Sequence, residues 1–374
     1  MNVRSILGIS LLSGTIIGAG TFSLPYIFSQ IGIFAGFIYL LFFACMYIGV
    51  YFMYSSLLLK EKEQHDFFFL AKKHLPAYML PVVVVTTIGG LIFGLLTYLT
   101  LIPSFISFAF GIEGWAVIFL FWIVCSVFVF VRVDALGWAE FLGTASIVGA
   151  IFFIAIFACI TSSSSDVQFS HRGMLSLPLF LIPFGPILFS FSGRSAVSQV
   201  VKTWREGKSE KEPFSLRKTI AGGVILPAVV YGVFVLAVIF LSPHSVSEDA
   251  LSGLVLLPLY AKIILAAVGF LALWTSYIVL INNVKDIFLR DMHFSRIVSF
   301  GAPIILPPLL LLLGLDNFME VIGITGGIFV ALEGLFIVWM WLRAFPHHAL
   351  RRYAYVPAGI FIVSFLYACT EFLI

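Results

Sequence analysis

The residues with the clearest chemical potential lie in the first apolar run, in the stretch GTIIGAGTFSLPY (14–26). A glycine costs about 1 kcal/mol and a proline about 3 kcal/mol in a helix interior, yet this stretch contains Gly14, Gly18, Gly20 and Pro25. Backbone groups freed at membrane depth must pair with protein or face a cavity. The stretch therefore predicts a discontinuous helix whose free amides and carbonyls face a ligand. Tight packing of small residues between helices is the alternative.

A second apolar run is interrupted in the same way. The stretch LPLFLIPFGPILFSFSGRSAVSQVV (177–201) contains Pro183, Gly185, Pro186 and Gly193. A half-helix N-terminus carries roughly +0.5 of a charge and suits a carboxylate, whereas unwound carbonyls suit a cation. An α-amino acid carries both charged groups, and it is the predicted ligand.

Apolar spans must position these two breaks. The chain has 374 residues, of which 61% are hydrophobic and 10% are charged, whereas charged residues make up about 25% of a soluble domain. A single-domain, all-α polytopic membrane protein is predicted for residues 1–374. Eleven runs are long enough to cross about 30 Å of hydrocarbon: 5–28, 31–58, 79–103, 115–131, 137–160, 176–200, 219–241, 256–283, 297–313, 318–342 and 354–372.

The distribution of positive charge predicts the orientation. If the N-terminus is cytoplasmic, all of the 21 lysines and arginines except Arg172, Arg194 and Lys262 fall in inner segments. This asymmetry follows the positive-inside rule. It predicts a multi-pass protein of the cell (plasma or inner) membrane with its C-terminus outside. No nucleotide-binding motif is present, so transport is expected to be driven by a gradient.

The first and sixth spans open two five-helix halves, at approximately 5–160 and 176–342. The first half begins at the cytoplasm and the second begins outside, so the halves have opposite orientation. Paired interruptions in two inverted halves are typical of the midplane substrate site of secondary transporters.

Three motifs resemble those of amino acid permeases in the amino acid–polyamine–organocation superfamily. They are residues 14–26, FSFSG (189–193) and LWTSY (273–277). The resemblance is closest to the aromatic amino acid permease and amino acid/auxin permease branches. It implies a five-plus-five inverted-repeat fold of the leucine-transporter type, with broken helices one and six and a peripheral eleventh helix at 354–372.

The resemblance also implies a substrate site. The substrate carboxylate is expected at amides of the first break, and its ammonium group at carbonyls of the second. An aromatic residue of span three is a candidate cap over the cavity. The expected substrate-binding residues are Gly18, Ala19, Gly20, Thr21, Tyr98, Phe189, Ser190 and Ser192.

In sodium-coupled relatives an ion lies between helices one and eight. The corresponding ligands are the carbonyls of Gly14, Ile17 and Ala272 and the hydroxyls of Thr275 and Ser276. Five oxygen ligands suit a hard cation. The alternative is that the two hydroxyls bond to the carbonyl four residues earlier in their own helix. The coupling ion is left open between Na⁺ and H⁺, and no other cofactor or metal centre is expected.

Ionisable residues inside spans are functional candidates because they are costly there. Arg194 is expected either to close a gate by pairing with an acid or to snorkel, which is favoured. Glu333 is a candidate for carrying a coupling proton or for balancing Arg194, and Glu140 for an interfacial or proton-coupling role. Lys285 and Asp286 are expected at a solvated helix end.

The favoured function is cation-coupled import of amino acids, aromatic or large neutral ones in particular, by alternating access. The alternative is an amino-acid-sensing membrane receptor resembling the spore-germinant receptor subunits. A channel is disfavoured because the spans lack a continuous polar file, and an enzyme because no nucleophile–base set is present. The expected partners are an amino acid and the lipid bilayer, with no nucleic acid and no obligate protein partner.

Overall fold

The computed structural model describes residues 3–61, 67–112, 114–130, 136–161, 177–209, 215–242, 245–254 and 257–372, without the side chains at 136–143 and a few other positions. These ranges are almost entirely helical. The α-helices are α1 (Val3–Ile16), α2 (Leu24–Ile31), α3 (Ile33–Lys60), α4 (Phe67–His74), α5 (Leu80–Phe110), α6 (Trp115–Val127), α7 (Leu136–Thr161), α8 (Leu177–Leu181), α9 (Phe184–Ser190), α10 (Arg194–Ser209), α11 (Leu216–Leu241), α12 (Leu259–Asp286), α13 (Arg296–Leu312), α14 (Phe318–Ile324), α15 (Ala331–Ala344) and α16 (Tyr355–Phe372).

Six continuous helical segments in the described ranges are long and apolar enough to cross a membrane, and two bent pairs raise this number to eight. The bent pairs are Arg4–Ile16 with Ala19–Ile31, at 54°, and Pro178–Ser190 with Arg194–Gly207, at 40°. The chain is therefore a multi-pass membrane protein, and its first and sixth spans are broken as predicted. Three shorter apolar helices lie where spans four, five and nine are predicted, and the count of eleven stays a prediction.

The two halves of the chain interlock through their helices. From the first half, α1 packs against α11 and α10, and α3 packs against α11 and α15. From the second half, α12 packs against α5 and α7. The peripheral helix α16 lies against α15. Phe34 on α3 is 81% exposed and Leu41 is 68% exposed. Large exposed apolar surfaces of this kind mark contact with a membrane or a partner, and here they fit contact with lipid.

Span ten is also irregular, because a π-helical turn at Thr325–Val330 connects α14 to α15. This turn packs against α9. A methyl group on Gly326 would overlap the carbonyl group of Gly185, so the two backbones touch at this crossing. The broken sixth span is thus held directly against span ten.

Candidate substrate site and gate

The first break lies where α1 ends, and it exposes the start of a new helical segment. Gly18 is extended, with φ −145° and ψ −153°. A 3₁₀ turn follows at Ala19–Ser23, and the Thr21 amide donates to the Gly18 carbonyl at 3.0 Å. The first amides of a helical segment have no acceptor inside it. The amides of Ala19 and Gly20 are such groups, and both were predicted to bind the carboxylate.

The second break lies between α9 and α10. The Ser192 amide donates to the Phe189 carbonyl at 3.0 Å, which closes a tight turn after Ser190. The next helix, α10, begins at Arg194. The sequence pattern of prolines, glycines and serines placed this break correctly.

The two breaks touch each other. A Cβ atom on Gly20 would lie 2.7 Å from Ser190 Oγ, 2.8 Å from Ser190 Cα and 3.0 Å from Phe189 Cδ1. Ser190 Oγ lies 3.0 Å from the Gly20 carbonyl and 2.8 Å from the Pro186 carbonyl, to which it donates. Only a glycine fits at position 20, because part of the obstruction is backbone.

Two further predicted substrate residues reach the same region. A methyl group on Gly18 would lie 3.3 Å from Tyr98 Oη, so α5 presents this hydroxyl to the first break. Thr21 is fully buried, and its side chain approaches the Tyr231 hydroxyl. The structure therefore groups the predicted residues of both breaks with Tyr98.

Tyr231 of α11 connects the two breaks and was not predicted. Its hydroxyl lies 2.7 Å from the Ile16 carbonyl and 2.7 Å from the Ser190 carbonyl. These are the last carbonyls of α1 and α9, and Tyr231 is fully buried. The available signal in the sequence was a lone tyrosine in the apolar run 219–241.

Tyrosines of α3 occupy carbonyls along the broken sixth span. Tyr39 donates to the Phe180 carbonyl at 2.8 Å. Tyr47 donates to the Leu188 carbonyl at 2.7 Å, and Tyr51 to the Phe191 carbonyl at 2.6 Å. Their spacing of eight and four residues places them on one face of the helix, and this tyrosine stripe was visible in the sequence.

These contacts constrain the predicted ammonium site. The Ser190 carbonyl accepts from Tyr231, and the Phe189 carbonyl accepts from the Ser192 amide. A carbonyl oxygen has two lone pairs, so the Ser190 carbonyl can accept a second donor, whereas the Phe189 carbonyl also accepts from the Phe191 amide. An ammonium group would therefore share these acceptors with the protein.

The predicted ion ligands are partly engaged within the protein. Thr275 Oγ1 donates to the Ala272 carbonyl at 3.0 Å, a local bond within α12 that is made three residues back and not four as in the stated alternative. Thr144 Oγ1 of α7 donates to the Gly14 carbonyl at 3.3 Å, a contact that was not predicted. Of the other two predicted ligands, Ile17 is buried and Ser276 is partly buried.

Arg194 pairs with an acid, and the favoured expectation that it snorkels is wrong. Arg194 Nε lies 2.7 Å from Glu333 Oε1, and the two side chains are 14% and 20% exposed. The guanidinium also stacks over Phe67, 4.2 Å from the ring centroid. Glu333 thus balances Arg194, which was one of its two predicted roles. Glu140 lies in α7, but its side chain is outside the described residues, and its role stays a prediction.

Further contacts tie helix ends together near this pair. Arg205 Nη2 of α10 donates to the Leu58 and Glu61 carbonyls at 2.6 and 2.7 Å. Lys60 Nζ donates to the Ala344 carbonyl at 2.6 Å, and Lys73 Nζ lies 2.7 Å from Glu61 Oε2. These bonds join α3, α4, α10 and α15 at one end of the bundle.

Lys285 does not form the expected solvated helix end. Its side chain is 7% exposed, and Nζ donates to the Val129 carbonyl at 3.0 Å and to Asn282. Asn282 Nδ2 donates in turn to the Phe128 carbonyl at 3.2 Å. The backbone acceptors lie at the end of span four, so the sequence of span eight alone does not predict this burial.

Comparison with solved structures places this geometry in a known fold. The crystal structure of MhsT in complex with L-phenylalanine is 16% identical, with a TM-score of 0.65 over 97% of this chain and 98% of that chain. Mhp1, a nucleobase-cation-symport-1 family transporter solved in a closed conformation with bromovinylhydantoin bound, is 12% identical, with a TM-score of 0.62 over 98% of this chain and 90% of that chain. No protein-family model and no curated protein matches the sequence. The chain has the predicted leucine-transporter-type fold, and the permease branch suggested by its first-helix motif stays a prediction.

Proposed function

We propose that the chain is a secondary active transporter that imports amino acids, with aromatic or large neutral amino acids as the favoured substrates, by cation-coupled symport. The observation that carries the proposal is the contact between the two helix breaks at Gly20 and Ser190. This contact puts helix-start amides beside unwound carbonyls inside a transporter fold. These two kinds of backbone group complement the two charges of an amino acid.

In the proposed complex, the substrate carboxylate accepts from the amides of Ala19 and Gly20. Its ammonium group donates to the carbonyl oxygens of Phe189, Ser190 and Ser192, and its side chain lies beside Tyr98. The half-helix dipole at the start of the 3₁₀ turn adds roughly +0.5 of a charge. MhsT, which shares the fold, was solved with L-phenylalanine, and this supports an aromatic substrate.

In the proposed alternating-access cycle, the broken spans one and six move against the helices packed around them. Arg194 begins α10 and Glu333 lies in the first turn of α15, so their ion pair joins span six to span ten. We assign this pair to the cytoplasmic gate. Separating α10 from α15 would break it, and Phe67 would lose its contact with the guanidinium. The pair opens when substrate and ion are released.

The proposed coupling site for Na⁺ comprises Gly14, Ile17, Ala272, Thr275 and Ser276. The carbonyl of Gly14 and the hydroxyl of Thr144 already meet there. The lone pairs of Thr275 Oγ1 are available, because this hydroxyl acts as a hydrogen-bond donor to the Ala272 carbonyl. Proton coupling is the alternative, with Glu333 or Glu140 as the carrier.

Uptake of radiolabelled L-phenylalanine into proteoliposomes tests the proposal, with an imposed sodium gradient and then a proton gradient. The wild type is run beside a Thr275→Ala, Ser276→Ala double variant. Thr370→Ala is the control, because Thr370 is exposed and bonds only within α16, to the Tyr367 carbonyl at 2.8 Å. Sodium-driven accumulation that is lost in the double variant and kept in Thr370→Ala is the expected result.

Two other outcomes have defined meanings. Accumulation on a proton gradient alone would contradict the sodium site and move the coupling to Glu333 or Glu140. Saturable binding without accumulation under either gradient would contradict transport and favour an amino-acid-sensing receptor.

A further inference from the structure

A cavity of about 270 Å³ lies between α2, α9, α14 and α16, with Gly185 and Pro186 of the interrupted sixth span in its wall. This volume is near the lower end of small-molecule sites, roughly 300 Å³. The carboxylates of Glu248, Glu320 and Glu371 line it, and so do Tyr26 and Tyr367. Glu320 and Glu333 are 13 residues apart in span ten, or about 20 Å along a helix, so the cavity is distant from the Arg194–Glu333 pair.

A buried hydroxyl in this cavity has no partner. Ser364 of α16 lines the cavity and is 1% exposed, and its Oγ makes no hydrogen bond within the described residues. Leaving such a group unpaired costs about 1–3 kcal/mol. Gly323 and Gly327 line the wall beside it, and the Phe372 ring and Ala368 pack directly against these two glycines. The hydroxyl is therefore positioned for a ligand atom.

The charge of the cavity selects a cation. None of its lining residues in the described ranges is a lysine or an arginine. The Glu248 carboxylate accepts from Asn317 Nδ2 at 3.0 Å, and Glu371 hydrogen-bonds with Tyr367. Both contacts are with neutral groups, so no basic side chain cancels the negative charge, and Glu248 and Glu371 are exposed at the mouth of the cavity. A concave site lined by one sign of charge concentrates ions of the opposite sign.

The arrangement of the carboxylates favours an organic cation over a metal ion. Among the described residues, no three acidic, histidine or cysteine side chains converge closely enough to hold a metal ion. Ile27, Met319 and Phe372 add apolar wall. Sites of this mixed kind bind an apolar body and orient it with a few polar groups.

We propose that this cavity is a second ligand site, which binds a primary organic ammonium ion with a small aromatic or aliphatic body. The ammonium group donates one hydrogen bond to Ser364 Oγ and is attracted by the carboxylates at the mouth of the cavity, and the body lies against Met319 and Phe372. Such a ligand needs no carboxylate, which separates it from the amino acid assigned to the helix breaks. The site goes beyond the proposed transport function and does not depend on it.

Calorimetric titration tests the site directly. The probe is 2-phenylethylammonium, titrated into the full chain in lipid nanodiscs with L-phenylalanine present in excess to fill the site at the breaks. The neutral analogue 2-phenylethanol is titrated in parallel. We expect saturable binding of the ammonium ion and at least about tenfold weaker binding of the alcohol, which is 1.4 kcal/mol.

Two variants and a control locate the binding. Glu320→Gln with Glu371→Gln should weaken binding by about tenfold or more, and Ser364→Ala by a few fold. Glu206→Gln removes an exposed carboxylate on α10 and should leave the dissociation constant unchanged. If Ser364 is only structural, Ser364→Ala will raise the thermal midpoint without changing the dissociation constant, and this result counts against the site.

Three results would overturn the proposal. The first is that 2-phenylethylammonium shows no saturable binding to the wild type, and the second is that the Glu320→Gln, Glu371→Gln variant binds it with the wild-type dissociation constant. The third is that calcium binds at the same carboxylates in place of the organic ion. L-phenylalanine uptake by the same preparations reports separately on transport. A failure of the second site is therefore distinguishable from a failure of the transporter.

Discussion

The two helix breaks pair their free backbone carbonyls with side chains in different ways. At the first break, a single side chain from the other half, Tyr231, reaches the last carbonyl of α1. At the second break, Tyr47 and Tyr51 of α3 both donate to carbonyls of the broken span. The exchange is reciprocal, because the second span of each half holds the broken first span of the other half.

The difference shows what each break depends on. The first break relies on close approach, since Gly20 leaves no room for a side chain beside Ser190. The second break relies on hydroxyl donors that satisfy its carbonyls. Backbone groups in a membrane interior need such partners. Added volume should therefore damage the first break, and lost hydroxyls should damage both, because Tyr231 reaches the Ile16 carbonyl and the Ser190 carbonyl.

The largest effect is expected from added volume at the first break. Gly20→Ala would place Cβ 2.8 Å from Ser190 Cα, so the two breaks must move apart. We expect L-phenylalanine uptake to fall by about a hundredfold, or 2.7 kcal/mol. Gly49→Ala is the matched control on α3, where a new Cβ would meet nothing within 4 Å. Normal uptake by Gly20→Ala would show that the breaks do not need this contact.

An effect of comparable size, on stability and not on uptake, is expected at the Arg194–Glu333 ion pair, because Arg194 begins α10 directly after the second break. Glu333→Gln leaves Arg194 charged and mostly buried, and removing one partner of a buried pair costs about 3–5 kcal/mol. The partial exposure of both side chains places the expected loss at the lower end of that range. Thermal unfolding of the purified protein measures it, with the exposed Arg352→Gln as the control. An Arg194→Gln, Glu333→Gln double variant should recover part of the loss, and strict additivity of the single effects would contradict the pairing.

Removing single hydroxyls compares the two breaks directly. Tyr231→Phe removes the donor shared by two buried carbonyls, whereas Tyr51→Phe removes the donor to one. Each buried group left unpaired costs about 1–3 kcal/mol, so Tyr231→Phe should lower the thermal midpoint more. Tyr260→Phe, at a residue that is 63% exposed, should have no effect. A larger loss from Tyr51→Phe would contradict this ranking of the two hydroxyls.

The smallest effect is a pH dependence of stability that arises at His74 of α4, the helix whose Phe67 contacts Arg194. Burial lowers the pKa of His74 in α4 below its usual 6.5, and Glu61 opposes this shift. The folded state then binds fewer protons than the unfolded state below pH 6.5, so stability is lost as the pH falls through that range. Thermal midpoints between about pH 7.5 and about pH 5.5 measure this loss. His74→Gln should remove the His74 contribution, and an unchanged pH dependence would exclude it.

The sequence predicted the breaks because they are local features. Gly18 and Gly20 in one span, and Pro186 and Gly193 in the other, are poor helix formers wherever they lie. The alternation of charged and neutral connectors predicted two inverted halves, and the fold comparison agrees with that prediction. The resemblance added residues that the structure groups around the breaks, including Tyr98.

The side-chain partners could not be predicted, because they join distant parts of the chain. Tyr51 and Phe191 are 140 positions apart, and no pattern in either span names the other. The snorkelling expected of Arg194 fails because Glu333 lies against it only after spans six and ten pack. Lys285 was misplaced for the same reason, since its acceptors lie at the end of span four.

The most direct test of the central claim, that the two breaks together bind an amino acid, is competition binding with L-[³H]phenylalanine on the full chain. The claim predicts that unlabelled L-phenylalanine displaces the label, while 3-phenylpropionate and 2-phenylethylammonium, which each lack one charged group, do not. It also predicts that Gly20→Ala loses binding and Gly49→Ala keeps it. Equal displacement by either fragment, or full binding by Gly20→Ala, would contradict the claim.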